Sequence, residues 1–119
     1  MKFAVKTEIG KRAHNEDSYL LPGGEALPLL FAVADGMGGH AAGAVASGIV
    51  VEKLGETDSS DFSEHEIEQL IGAIQRANLA VFEAAEADKT LFGMGTTLVC
   101  ALVLGKSYLA ANVGDSRLF

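Results

Sequence analysis

The sequence predicts an α+β fold in which one antiparallel sheet stacks on a second, with helices on the outside. Three observations lead there. Residues 27–34 and 96–104 are apolar at almost every position, so both faces of each run must be covered. The second run meets Gly105-Lys106, a two-residue turn, and then another apolar segment, which returns the chain antiparallel. Two helical segments lie between the runs and serve as outer layers.

Each element has its own signal. Residues 3–9 alternate apolar and polar and read as a strand. Residues 10–15 are a polar connection. Residues 17–21 form a short second strand closed by Pro22-Gly23-Gly24. Residues 27–34 are the third strand. Residues 40–54 form a helix rich in small side chains, suited to close packing. Residues 55–62 are a polar, acidic linker. Ser63 and Glu66 have the spacing of a capping box, and the helix behind them runs to about residue 88. Its buried stripe is expected at Ile67, Leu70, Ile71, Ile74, Ala77, Val81 and Ala85. Residues 96–104 and 107–113 close the chain as a hairpin.

Composition narrows the function. The 119 residues suffice for one domain, are 49% hydrophobic and carry a net charge of −7. That charge disfavours nucleic acid and anionic membranes as partners. No run approaches membrane-spanning length, and charge interrupts the N-terminal apolar stretch too early for a signal peptide. Cys100 is the single cysteine, so no disulfide framework exists and a reducing cytoplasm is the expected compartment. It sits in an apolar run and reads as core packing.

Chemistry concentrates in three acidic clusters, each at the border of an apolar segment. Ala34-Asp35-Gly36-Met37-Gly38-Gly39-His40 puts a carboxylate at the expected tip of a buried strand, beside glycines that let the backbone approach a ligand. Arg12-Ala13-His14-Asn15-Glu16-Asp17 precedes the second strand, and Asn112-Val113-Gly114-Asp115-Ser116-Arg117 follows the last one. Carboxylates converging on one rim of a sheet repel each other and imply bound cations. Oxygen donors without a Cys/His set point to magnesium, manganese or calcium. Asp35 also fits a plain strand-to-helix turn, Glu16 a solvated acid, Arg12 a surface cation and Asp115 a turn residue. Gly36-x-Gly38-x-x-Ala41 matches a dinucleotide fingerprint weakly, but Asp35 would set negative charge against the pyrophosphate.

Arg12-x-x-Asn15-Glu16-Asp17, Ala34-Asp35-Gly36-Met37-Gly38-Gly39-His40-x-x-Gly43-x-x-Ala46-Ser47, Gly95-Thr96-Thr97 and Asn112-Val113-Gly114-Asp115-Ser116-Arg117, in that order, resemble the bacterial metal-dependent protein phosphatases of the 2C type, the PPM family. The resemblance implies a β-sandwich flanked by helices in four α-β-β-α layers, of which residues 1–119 are expected to be the N-terminal part of a single catalytic domain. It implies hydrolysis of phosphoserine and phosphothreonine in proteins by a metal-activated water, opposing a serine/threonine kinase. It assigns Asp35 to bridging two manganese or magnesium ions, the Gly36 carbonyl to one of them and Asp115 to a third ion. Glu16 and Asp17 would hold metal-associated waters, and Arg12 the substrate phosphate. Family members with histidine directly after Asp-Gly use it as a general acid; here that position is Met37, so the role does not transfer to His40. The family's later Asp-Gly and Asp-Asn motifs do not occur in these 119 residues. The alternative expectation is therefore a non-catalytic phosphatase-like module, and sheet edges left unpaired are expected to favour self-association.

Overall fold

The computed structural model describes residues 17–22, 27–38, 42–57 and 65–118, of which 114–118 by their backbone. The expected strand at residues 3–9 and the proposed capping residue Ser63 lie outside the described residues. Four strands, β1 (Asp17–Leu20), β2 (Leu29–Met37), β3 (Gly95–Val103) and β4 (Tyr108–Leu118), form one sheet in the order β1-β2-β3-β4. Every neighbouring pair is antiparallel. Helices α1 (Ala42–Gly55) and α2 (Glu66–Ala87) intervene between β2 and β3. The class is the expected one, α+β on an antiparallel sheet.

The strand pattern decides which face is buried. Along β2, Leu30, Ala32, Ala34 and Gly36 are buried, while Phe31, Val33 and Asp35 lie on the other face. Along β3, Thr96, Leu98, Cys100 and Leu102 match them. These positions join one core cluster with Ala42, Ala46, Val50 and Leu54 of α1 and Leu70, Ala73, Ala77 and Val81 of α2. Both helices thus serve the same side of the sheet. Helix α1 lies against β1, β2 and β3, and α2 packs on α1 and reaches β4. The stripe of α1 is small where it meets the sheet, Ala42, Gly43, Ala46 and Ser47, and larger further on, Val50 and Leu54. Small side chains let helix and strand backbones come close. Burying a side chain the size of Leu54 or Leu98 stabilises the fold by about 1.5–3 kcal/mol.

The opposite face is open among the described residues. Tyr19, Val33, Val99 and Tyr108 stand on it 45%, 52%, 53% and 69% exposed. The expected second sheet is not found among the described residues. The hairpin turn is as expected: Leu104 N–H donates to the Ser107 carbonyl at 2.9 Å, with Gly105 at φ +123°.

Three expected boundaries move. Strand β2 continues past Ala34 to Met37, because Gly36 and Met37 pair with Thr96 and Gly95. Asp35 is therefore inside the strand and not at its tip. Strand β4 continues past Val113 to Leu118, regaining β3 where Leu118 meets Thr96. Helix α2 opens at Glu66 with His65 at its N-cap and no side-chain cap. Its buried stripe is Leu70, Ala73, Ala77 and Val81, while Ile67 and Ile71 are 61% and 50% exposed. The apolar arc of α2 is wider than one neighbouring helix covers. After α2, Asp88 accepts hydrogen bonds from the Thr90 amide at 2.9 Å and hydroxyl at 2.7 Å, starting a short turn at Lys89–Leu91. Those bonds lower the Asp88 carboxyl pKa.

Leu98→Ala, at a fully buried position, is expected to cost about 2–5 kcal/mol in urea unfolding. Ile71→Ala is expected to stay within about 0.5 kcal/mol. Equal losses would restore Ile71 to the core.

Candidate functional site

The antiparallel registers gather four separated segments at one end of the sheet. The start of β1 at Asp17, the end of β2 at Asp35-Gly36-Met37, the start of β3 at Gly95-Thr96-Thr97 and the backbone of β4 beyond Val113 all lie there. The described parts of the three acidic clusters, Asp17, Asp35-Gly36-Met37 and the backbone beyond Val113, thus share a rim, with Gly95-Thr96-Thr97 between them.

Asp17 and Asp35 are direct partners across β1 and β2. Residues opposite each other share a face, with Cβ atoms about 4.5–5.5 Å apart. Both side chains are half-buried, and Oδ1 of each is sealed from solvent. They lie on the face away from the helices, since their neighbours Ser18 and Ala34 face inward with the core. Two carboxylates held this way are costly unless positive charge reaches them. Their oxygen donors suit a hard divalent cation such as magnesium or manganese. Among the described residues no third Asp, Glu, His or Cys side chain joins them in a metal-sized group.

The strands around this pair are irregular. Pairing of β2 with β3 runs from Leu29 with Val103 to Val33 with Val99, skips Ala34 and Asp35, and resumes at Gly36 with Thr96. Thr97 spans the skip by donating its hydroxyl to the Asp35 carbonyl at 3.4 Å. The buried Thr96 donates to the Thr97 carbonyl at 2.8 Å. On its other side β3 meets a bulge: Leu98 pairs with Val113 and Thr96 with Leu118, leaving residues 114–117 opposite Thr97 alone. Bulges re-aim backbone and side chains and recur beside active sites. The backbone of Asp115 belongs to this bulge, within a strand and not in the turn that the sequence suggests.

Gly38 closes the rim against α1. Its φ is +153°, and a Cβ there would stand 3.0 Å from the Ala42 Cβ and 3.1 Å from the Gly43 nitrogen. Any side chain would strain the backbone and press on the first turn of the helix. Met37, where a general acid stands in some phosphatases of the resembling type, is 36% exposed. Arg12, Glu16 and His40 lie outside the described residues. Cys100 is 1% exposed and burial pushes its thiol pKa up, which keeps it a packing residue. Spacing alone did not single out Thr97, Ser18 or Ser47. Ser18 and Ser47 hydroxyls are 3.0 Å apart between β1 and α1. Small polar residues with no charge leave little signal until their partners are known.

A profile described as protein phosphatase 2C matches residues 6–119. The chain belongs to the protein phosphatase 2C family. It is 38% identical over 118 residues to the serine/threonine protein phosphatase PstP of Mycobacterium tuberculosis, a match covering 98% of this chain and 22% of PstP. It is 40% identical over 123 residues to the serine/threonine phosphatase stp of Listeria innocua, covering 98% of this chain and 48% of that protein. The crystal structure of the PstP catalytic domain in complex with two manganese ions superposes with a TM-score of 0.74 at 38% identity. That match covers 87% of this chain and 43% of the PstP chain. The chain thus spans less than half the length of these phosphatase 2C relatives.

Proposed function

We propose that this chain contributes the N-terminal part of a catalytic domain that hydrolyses phosphoserine and phosphothreonine in proteins, with manganese or magnesium as cofactor. The observation that carries the reading is the facing of Asp17 and Asp35 at the sheet end where the segments of four family motifs meet. The phosphatase names of its relatives and the manganese in the PstP structure support it.

Asp35 would hold the divalent ions through carboxylate oxygen, with the Gly36 carbonyl as a main-chain donor and Asp17 acting through metal-associated water. Glu16 would add a negative charge through water, and Asp115 would serve a third ion. Bound ions of this kind lend Lewis acidity to phosphoryl oxygens and make water more acidic. Arg12 offers a planar guanidinium whose paired N–H groups fit two phosphate oxygens, holding the ester for in-line attack by water. Water is the nucleophile in this reading because the one thiol, Cys100, is closed in the core. The substrates would be phosphorylated proteins, the chain acting against a serine/threonine kinase in the cytoplasm. Among the described residues no helix is long and apolar enough to cross a membrane.

A second reading, the alternative expected from the sequence, is a module that binds phosphoprotein without turning it over. Turnover of p-nitrophenyl phosphate by the full-length protein separates the two.

In that assay Asp35→Ala is expected to lower kcat by at least about a hundredfold while circular dichroism stays unchanged. Arg12→Ala is expected to raise KM more than it lowers kcat, since phosphate contacts exist in both ground and transition states. Near-wild-type turnover by Asp35→Ala, or an unchanged KM with weakened metal binding for Arg12→Ala, would contradict these roles.

Residues 1–119 expressed alone are expected to bind manganese weakly, because magnesium-like ions need more anionic donors than this pair supplies. The sheet face that is open among the described residues is expected to drive self-association, as are sheet edges left unpaired. Calorimetric titration and light scattering check both; a monomer saturated by micromolar manganese would refute them.

A further inference from the structure

Among the described residues strand β1 comprises four, Asp17–Leu20. Its pleat sends Ser18 and Leu20 toward the helices and Asp17 and Tyr19 to the open face. A slip of one residue would reverse this and turn Asp17 toward α1. The hydrophobic pattern resists such a slip weakly. Leu20 is only half-buried and Tyr19 is only 45% exposed, so exchanging them changes little apolar burial.

A polar contact supplies what the pattern lacks. Ser47 is fully buried in the middle of α1, and its Oγ lies 3.0 Å from Ser18 Oγ. Ser47 also lies 3.4 Å from the Ala44 carbonyl, to which it donates. The two hydroxyls, either of which can donate to the other, link strand to helix. In a slipped strand Ser18 would move away from Ser47, and this strand-to-helix hydrogen bond would be lost.

We propose that Ser47 is a positioning residue that, through Ser18, fixes the register placing Asp17 across from Asp35. Its bearing on metal binding rests on the phosphatase reading above; its hold on β1 does not. The two parts can be measured separately in the full-length protein.

Hydrogen exchange of residues 17–20 in chelator tests the register directly. Ser47→Ala and Ser18→Ala should each speed exchange there by about threefold to tenfold, and the double variant no more than either alone. Val50→Ala, at another fully buried position of α1, is the control for general destabilisation and should leave β1 relatively protected. Ser18→Thr, which keeps the hydroxyl, should behave as wild type. Calorimetric titration with manganese should show affinity weakened about threefold to tenfold in Ser47→Ala and retained in Val50→Ala and Ser18→Thr. Unchanged β1 exchange in Ser47→Ala, or equal effects in Val50→Ala, would overturn the proposal. Faster β1 exchange in Ser47→Ala, together with a wild-type protein that binds no manganese, would uphold the tether and overturn the phosphatase reading.

Discussion

The close approach of α1 to the sheet is the constraint from which the rest follows. Ala42, Ala46 and Ser47 share a core with Ala32 and Ala34, so small side chains meet small side chains where helix and strand cross. With that side filled, the period-two pleat leaves Asp35 one place to go, the face away from the helix. A bulkier stripe on α1 would lift the helix and open a cavity beneath it. A half-buried acid at a defined position is in this sense a product of alanine packing behind it.

Irregularity in the sheet is concentrated at the same end. Away from the rim, β2, β3 and β4 pair without a break from Leu29 to Val33 and from Leu98 to Val103. At the rim, pairing skips Asp35 on one side of Thr97 and bulges on the other. Regular ladder occupies backbone carbonyls and amides fully; broken ladder leaves them available to point elsewhere. The rigid part of the sheet holds the irregular part, and the irregular part is where the family motifs fall.

Much of this was legible in the sequence, for physical reasons that differ by element. The doubly apolar runs at residues 27–34 and 96–104 identified β2 and β3, and the Gly105-Lys106 turn joined β3 to β4. The acidic borders suggested a shared rim, and the strand registers bring Asp17 and Asp35 together there. Boundaries were less legible. Asp-Gly and Gly-Asp are ordinary turn signals, yet pairing with Thr96 carries both β2 and β4 through them. The buried face of α2 was misplaced at Ile67 and Ile71 because its apolar residues cover more than one face, and periodicity cannot say which face meets α1. Ser18 and Ser47 were illegible as a pair, since 29 residues separate them and neither type favours one environment.

Gly38 has a consequence at the level of the gene. Every missense change of a glycine codon adds a Cβ, and here that atom would meet Ala42 and Gly43 at 3.0 and 3.1 Å. The position therefore has no conservative neighbour, unlike Ala42 beside it, for which glycine and serine are available. Drift through this loop must pass around position 38, with compensating change confined to the first turn of α1. A single missing methyl group thus narrows the mutational routes open to the junction between the strand that carries Asp35 and the helix that backs it.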